Sequence, residues 1–80
     1  MIDRNIDNLL GELCIKWGFC LPPKEHHRIA SACSWDAESF ARDVVESEGL
    51  NPEYEVGHVR SIRNKFIEVL GSNVYKSENS

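Results

Sequence analysis

The chain has 80 residues, a formal net charge of −4 at pH 7 and 41% hydrophobic residues, which suits one small globular domain. Its apolar runs are far shorter than the roughly 18 residues that a membrane-spanning helix needs. The first residues, 1–5, have neither the basic start nor the apolar run of a secretory signal. We therefore expect a cytoplasmic protein that does not enter a membrane.

The first predicted helix runs from about Asp3 to Trp17. Either Asp3 or Asn5 can cap its start, and Gly18 suits the left-handed position just beyond its end. Apolar residues recur through this segment at steps of three and four, which places them on one helix face: Ile2, Ile6, Leu9, Leu10, Leu13 and Trp17.

A short second helix is predicted over about 23–32. Pro22 and Pro23 interrupt the chain before it, because proline cannot continue a helix, but the second proline suits the first turn of a new one. The spacing of the less polar residues predicts an inner face made of His26, Ile29, Ala30 and Cys33.

The third predicted helix has the clearest start signal. Asp36 is a good N-cap, and Trp35 before it and Phe40 after it have the spacing of a hydrophobic staple. Gly49 and Leu50 are typical of a helix end in which the chain folds back. The predicted buried face consists of Ala37, Phe40, Ala41, Val44 and Val45.

The fourth helix is predicted to start at once, with Asn51 as its cap and Pro52 as its first residue, and to end at Gly71. Residues 72–80 are polar and are predicted to form a flexible, disordered tail. The apolar stripe of this helix is Val56, Val59, Ile62, Phe66, Val69 and Leu70.

These elements together predict an all-α fold: a compact bundle or orthogonal array of about four short helices. Residues 1–71 would form the single helical domain, and residues 72–80 would lie outside it. No segment has the alternating pattern of a half-buried strand. The short break at Asn51 favours an orthogonal array, because it makes a tight corner between the last two helices.

Charge is segregated along the chain. Between Val56 and Leu70 the balance is mildly basic, whereas the preceding segment holds one arginine, Arg42, and seven acidic residues. The acidic third helix is predicted to face the basic fourth helix, either within the chain or across a symmetric dimer. Broad nonspecific binding to nucleic acid requires a clustered basic face, which this pattern lacks. The seven acids are Asp36, Glu38, Asp43, Glu46, Glu48, Glu53 and Glu55.

The three cysteines, Cys14, Cys20 and Cys33, are odd in number and irregular in spacing, so we expect free thiols. With His26 and His27 they supply possible metal ligands, but structural zinc sites usually pair ligands two to four residues apart. Whether any of the five binds metal stays open, and no cofactor is expected. A catalytic Cys–His pair would need a substrate cavity and an oxyanion element, and no such motif is present, so no enzyme is predicted.

Two functions remain after these exclusions. The first is a non-enzymatic helical protein–protein interaction or regulatory module, with a protein partner or a second copy of the chain. Aromatic residues exceed what the helix stripes require, and exposed aromatic residues often anchor interfaces. The candidate partner-binding residues are Trp17, Phe19, Leu21 and Trp35.

The alternative function is a small DNA-associated regulator. Three cations within two turns of the fourth helix could contact a few phosphates, although such a set is more often a solvated face. The acidic third helix would repel a DNA backbone. The candidate contacts are Arg60, Arg63 and Lys65.

Overall fold

The computed structural model describes residues 3–32 and 34–76. Within these ranges the chain forms four helices and a two-stranded sheet, which confirms the predicted all-α class with about four short helices. No helix in these ranges combines the length and apolar character of a membrane span. In chain order the elements are α1 (Arg4–Trp17), α2 (Pro23–Ala30), β1 (Ser34–Asp36), α3 (Ala37–Ser47), α4 (Val56–Leu70) and β2 (Val74–Lys76).

Helix α1 begins and ends as its sequence predicts. The Asp3 carboxylate accepts hydrogen bonds from the backbone N–H groups of Asn5 and Ile6, at 2.9 and 3.2 Å, and so caps two free donors of the first turn. Gly18 ends the helix with φ of 75°, a left-handed conformation that glycine adopts without a Cβ penalty. The buried face is Ile6, Leu9, Leu10 and Leu13.

Helix α2 is shorter than predicted, because it ends at Ala30. The chain then leaves the helix through a turn at Ser31 and Ala32 and enters strand β1 at Ser34. Ile29 and Ala30 are fully buried, as expected for the inner face. The fourth predicted member of that face, Cys33, lies outside the described residues.

Helix α3 confirms both of its predicted ends. Asp36 accepts a hydrogen bond from the Ser39 backbone N–H at 3.2 Å, and the Trp35 ring meets Phe40 edge to face with centroids 5.7 Å apart. At the other end, Gly49 has φ of 82° and the Leu50 N–H donates to the Val45 carbonyl at 3.2 Å.

The predicted start of the fourth helix at Pro52 is wrong, because α4 starts at Val56. Asn51 caps a separate turn instead: its side chain accepts from the Glu53 N–H, and its carbonyl accepts from the N–H groups of Tyr54 and Glu55. Glu55 then has ψ of 48°, outside the helical range, so the turn cannot propagate into α4. Residues 48–55 therefore form a connection between α3 and α4 and are not part of either helix.

Part of the segment predicted as a flexible tail, Val74–Lys76, forms strand β2. Strand β2 pairs antiparallel with β1, and Trp35 lies opposite Tyr75. The Tyr75 hydroxyl donates to the Asp3 carboxylate, at 2.9 Å from the nearer oxygen. The sequence did not predict this pairing, because the contacts join residues distant in sequence and three-residue strands are too short to show a recognisable alternation of polar and apolar residues. Residues 77–80 lie outside the described residues.

The helices pack so that one end of the molecule collects several chain connections. The start of α1 meets the end of α2, where the Asp3 N–H donates to the Ala30 carbonyl at 2.7 Å. Helix α1 is also antiparallel to α4, because Phe19, just after α1, contacts His58 near the start of α4. The ends of α1 and α3 and the starts of α2 and α4 therefore lie together. We call this region, residues 18–22 and 48–55, the loop end.

Candidate partner-binding surface

Three of the four predicted partner-binding residues pack against the core. Trp35 donates its indole N–H to the Ile29 carbonyl at 2.9 Å, and Phe19 and Leu21 are half-buried against the core cluster. Trp17 is 41% exposed at the end of α1. The structure therefore presents Trp17 to solvent and uses much of the surface of the other three to close the core.

Other large apolar side chains are exposed that the sequence analysis did not single out. Tyr54 is 85% exposed, and it lies in the connection that the sequence had assigned to a helix. The sequence did contain a signal for this connection, because Asn51 and Pro52 suit a turn as well as a helix start. In the described ranges, the exposed large apolar residues are Ile15, Trp17, Leu50, Tyr54, Val56, Val69 and Val74.

Three of these residues lie in or beside one connection. Leu50 and Tyr54 belong to the segment that joins α3 to α4, and Val56 is the first residue of α4; we call these three residues the apolar corner. Gly49 and Asn51 shape the backbone here, the first through its positive φ and the second through its cap. A shallow surface depression opens beside the corner, and it is lined by Arg42, Glu46, Gly49, Leu50, Asn51, Pro52 and Glu53.

Four glutamates lie in or next to the connection that carries the apolar corner, and two of them, Glu46 and Glu53, line the depression together with Leu50. Glu46 and Glu53 are exposed, and Glu48 and Glu55 are half-buried. Within residues 3–32 and 34–76, none of the four forms an ion pair with lysine or arginine, and Glu55 lies 3.4 Å from the His58 imidazole. The last turn of α3 holds no basic residue, although the negative end of a helix dipole favours one. The corner therefore combines exposed apolar area with uncompensated negative charge.

A second depression, between α2 and α3, is occupied by charge pairing within the molecule. Arg28 donates to Glu25 on its own helix and to Asp43 on α3, each at 2.7 Å. Hydrogen bonds to Asp43, and then to Glu25, raise the pKa of Arg28 above its ordinary value. These contacts hold the two helices together, so the polar groups here already have partners.

The three cations proposed for nucleic-acid contact do not share one face. Arg63 lies 3.6 Å from Glu38 on α3, and Lys65 lies 3.3 Å from Glu12 on α1. Residues two positions apart in an α-helix are separated by about 200° around its axis, so Arg63 and Lys65 lie on opposite flanks of α4. Arg60 is exposed. The Arg63–Glu38 pair confirms the expected charge pairing between α3 and α4.

The expectation of free thiols is wrong for Cys14 and Cys20, which form a disulfide. The bond joins the last turn of α1 to the connection before α2, so the glycine turn at Gly18 brings the two residues together. His26 contacts Asp7, and His27 is exposed. In the described part of the chain, no group of three or more histidine, cysteine, aspartate or glutamate residues could hold a metal ion.

Removing this disulfide is expected to lower the free energy of unfolding by about 2 kcal/mol, because the bond restricts a short loop in the unfolded chain. Urea unfolding of Cys14→Ser/Cys20→Ser measures the change. Reduction by dithiothreitol should lower the stability of the wild type by a similar amount and leave the double variant unchanged. Equal stability of reduced and oxidised wild type would contradict the expectation.

Comparison with protein-family models, curated proteins and solved structures gives no match to this chain. The functional argument therefore depends on the surface itself. Its main features, among the residues described, are the exposed Trp17 at the end of α1, the apolar corner, and the nearby carboxylates that form no ion pair with lysine or arginine.

Proposed function

We propose that this protein is a non-enzymatic helical interaction or regulatory module that binds a protein partner through its loop end. One observation carries the proposal: four of the exposed large apolar residues lie in or beside this end. They are Trp17, Leu50, Tyr54 and Val56.

Physical considerations support a protein partner. Exposed tyrosine and tryptophan bury large area with few rotatable bonds, and these residues often dominate the energy of an interface. A small domain buries a limited fraction of its surface on folding, so it is also stabilised by any partner that binds the folded state. Tyr54 is 85% exposed on a short connection, which suits an anchor residue.

The proposal predicts a specific crosslink. With a photo-crosslinkable benzoylphenylalanine in place of Tyr54, irradiation in the native host should join the protein to one partner. The same replacement at Asn64, exposed on the outer side of α4, serves as the matched control and should give little product. The mass of the adduct separates a second copy of this chain from a different protein. Equal yields at both positions, or no adduct from a folded protein, would contradict the proposed surface.

The sequence predicts a cytoplasmic location, but the Cys14–Cys20 disulfide argues against that prediction. Cytosolic thiols are normally kept reduced, and disulfides are typical of oxidising compartments. Alkylation of intact cells before lysis distinguishes the two locations. Cys14 and Cys20 should both be labelled in a reducing cytoplasm, and neither should be labelled where their disulfide persists.

DNA-associated regulation is the competing proposal, and it has less support. Arg63 and Lys65 are paired with carboxylates on different neighbours, which leaves Arg60 as the cation on that helix with no ion pair in the described residues. Phosphate binding through these residues would have to break existing pairs. Mutating all three to glutamate would abolish DNA binding if this proposal holds.

A further inference from the structure

We infer that the apolar corner accepts a cationic segment of a partner protein, an inference that rests on the proposed function. An apolar side chain of that segment would pack on Leu50, Tyr54 and Val56. Its neighbouring lysine or arginine residues would face the carboxylates around the corner. The bound chemistry is therefore an amphipathic basic peptide segment.

The apolar part of the surface is accessible and lies within seven consecutive residues, 50–56. Leu50 is 38% exposed, Tyr54 85% and Val56 54%, and the residues between them include Asn51, Glu53 and Glu55. The Asn51 cap and the left-handed Gly49 hold the backbone of this connection in a defined turn. A partner would thus meet a surface that is already ordered, which reduces the entropy lost on binding.

The negative charge around the corner favours a positively charged partner. Glu46 and Glu48 lie at the end of α3, where the helix dipole also places negative charge, and Glu53 and Glu55 follow within the connection. Arg42 lines the same depression but forms no ion pair with any of them within the described ranges. Four carboxylates against this one arginine leave the corner negative, and a cationic partner would relieve the repulsion.

Glu48 adds a local reason for a hydrogen-bond donor. Its Oε1 atom is shielded from solvent and accepts no hydrogen bond in the described part of the chain. A buried acceptor without a partner is unfavourable, and a lysine or arginine side chain supplies donors as well as charge.

The same charge argues against a second copy of the chain at this surface. A symmetric pairing through the corner would bring two sets of Glu46, Glu48, Glu53 and Glu55 together. Like charges opposed across an interface disfavour the complex. The occupant is therefore a different protein.

Fluorescence anisotropy with labelled model peptides tests the inference. A peptide that alternates lysine and leucine should bind the full chain, with affinity that falls as salt rises. Peptides that alternate glutamate with leucine, or lysine with serine, should each bind at least about tenfold more weakly, because one lacks the charge and the other the apolar contact.

Variants locate the binding. Glu46→Gln/Glu53→Gln and Tyr54→Ser should each weaken binding of the lysine–leucine peptide by about tenfold. Glu68→Gln, an exposed site on α4 away from the corner, is the matched control and should bind like the wild type. Circular dichroism confirms that each variant is folded.

The inference is overturned if the lysine–leucine peptide does not bind, or if the glutamate–leucine or the lysine–serine peptide binds equally well. It is also overturned if Glu46→Gln/Glu53→Gln or Tyr54→Ser leaves the affinity unchanged. The proposed function has a separate test. If any of these results is obtained but position 54 still crosslinks to a different protein, the proposed interaction surface is retained and only the cationic nature of the partner is rejected. Loss of the position-specific crosslink would reject the proposed function as well.

Discussion

Phe40→Ala is expected to lower the free energy of unfolding by about 3–5 kcal/mol, the largest effect of any change considered. The Phe40 side chain is fully buried, and its ring lies 5.7 Å from the Trp35 ring and 5.1 Å from the Phe66 ring, measured between centroids. Truncation would remove the centre of this aromatic group and leave a cavity. The total free energy of unfolding for an 80-residue chain is about 4–12 kcal/mol, so this loss would be a large fraction of it.

Urea unfolding followed by circular dichroism measures this change. Ile15→Ala is the matched control, because Ile15 is 85% exposed on α1 and its truncation opens no cavity. Its stability should stay within about 0.5 kcal/mol of the wild type. A loss below about 1 kcal/mol for Phe40→Ala would show that Phe40 is not at the centre of the core.

Asp3→Ala is expected to lower the free energy of unfolding by about 2–4 kcal/mol. The Asp3 side chain accepts from two backbone N–H groups at the start of α1 and from the Tyr75 hydroxyl, at 6% residual exposure. Losing an N-cap costs about 0.5–2 kcal/mol, and a hydroxyl left without its acceptor adds about 1–3 kcal/mol. The substitution would loosen both α1 and the strand that holds Tyr75.

A double-mutant cycle separates the two contributions. Asp3→Asn keeps a good N-cap and should lose less stability than Asp3→Ala. Tyr75→Phe removes the hydroxyl, so the double variant Asp3→Ala/Tyr75→Phe should be more stable than the sum of the single losses predicts. Strict additivity of the two losses would show that the Asp3–Tyr75 hydrogen bond does not couple the start of α1 to β2.

Local signals predicted most helix boundaries because the physics that sets them is local. Asp3, Gly18 and Asp36 each act on backbone groups within a few residues, and the structure places all three as caps. The Trp35–Phe40 staple likewise spans five residues. Asn51 shows where such signals are ambiguous: the same cap and the following proline serve a helix start or an isolated turn.

The candidate site was only partly predictable. The acidic character of residues 34–55 was visible in the sequence, but aromatic content alone could not distinguish a core residue from an exposed one. Trp35 and Trp17 show the difference, because the first donates to the Ile29 carbonyl and the second is 41% exposed. Burial depends on which surfaces meet, and this is decided by packing between helices distant in sequence.

By itself, the sequence determined the helical class, the glycine ends of α1, α3 and α4, and the uneven charge, because each depends on composition or on neighbours a few positions apart. It determined the apolar stripes in part: the predicted members Trp17, Val56 and Val69 are exposed, and Ile2 lies outside the described residues. Tertiary structure alone decided the Cys14–Cys20 bond, the β1–β2 pairing and the partners of Arg63 and Lys65, which are Glu38 and Glu12. It also decided that Leu50, Tyr54 and Val56 stay exposed. These outcomes depend on how the chain turns and on which groups packing brings together, and a local sequence pattern predicts neither of these.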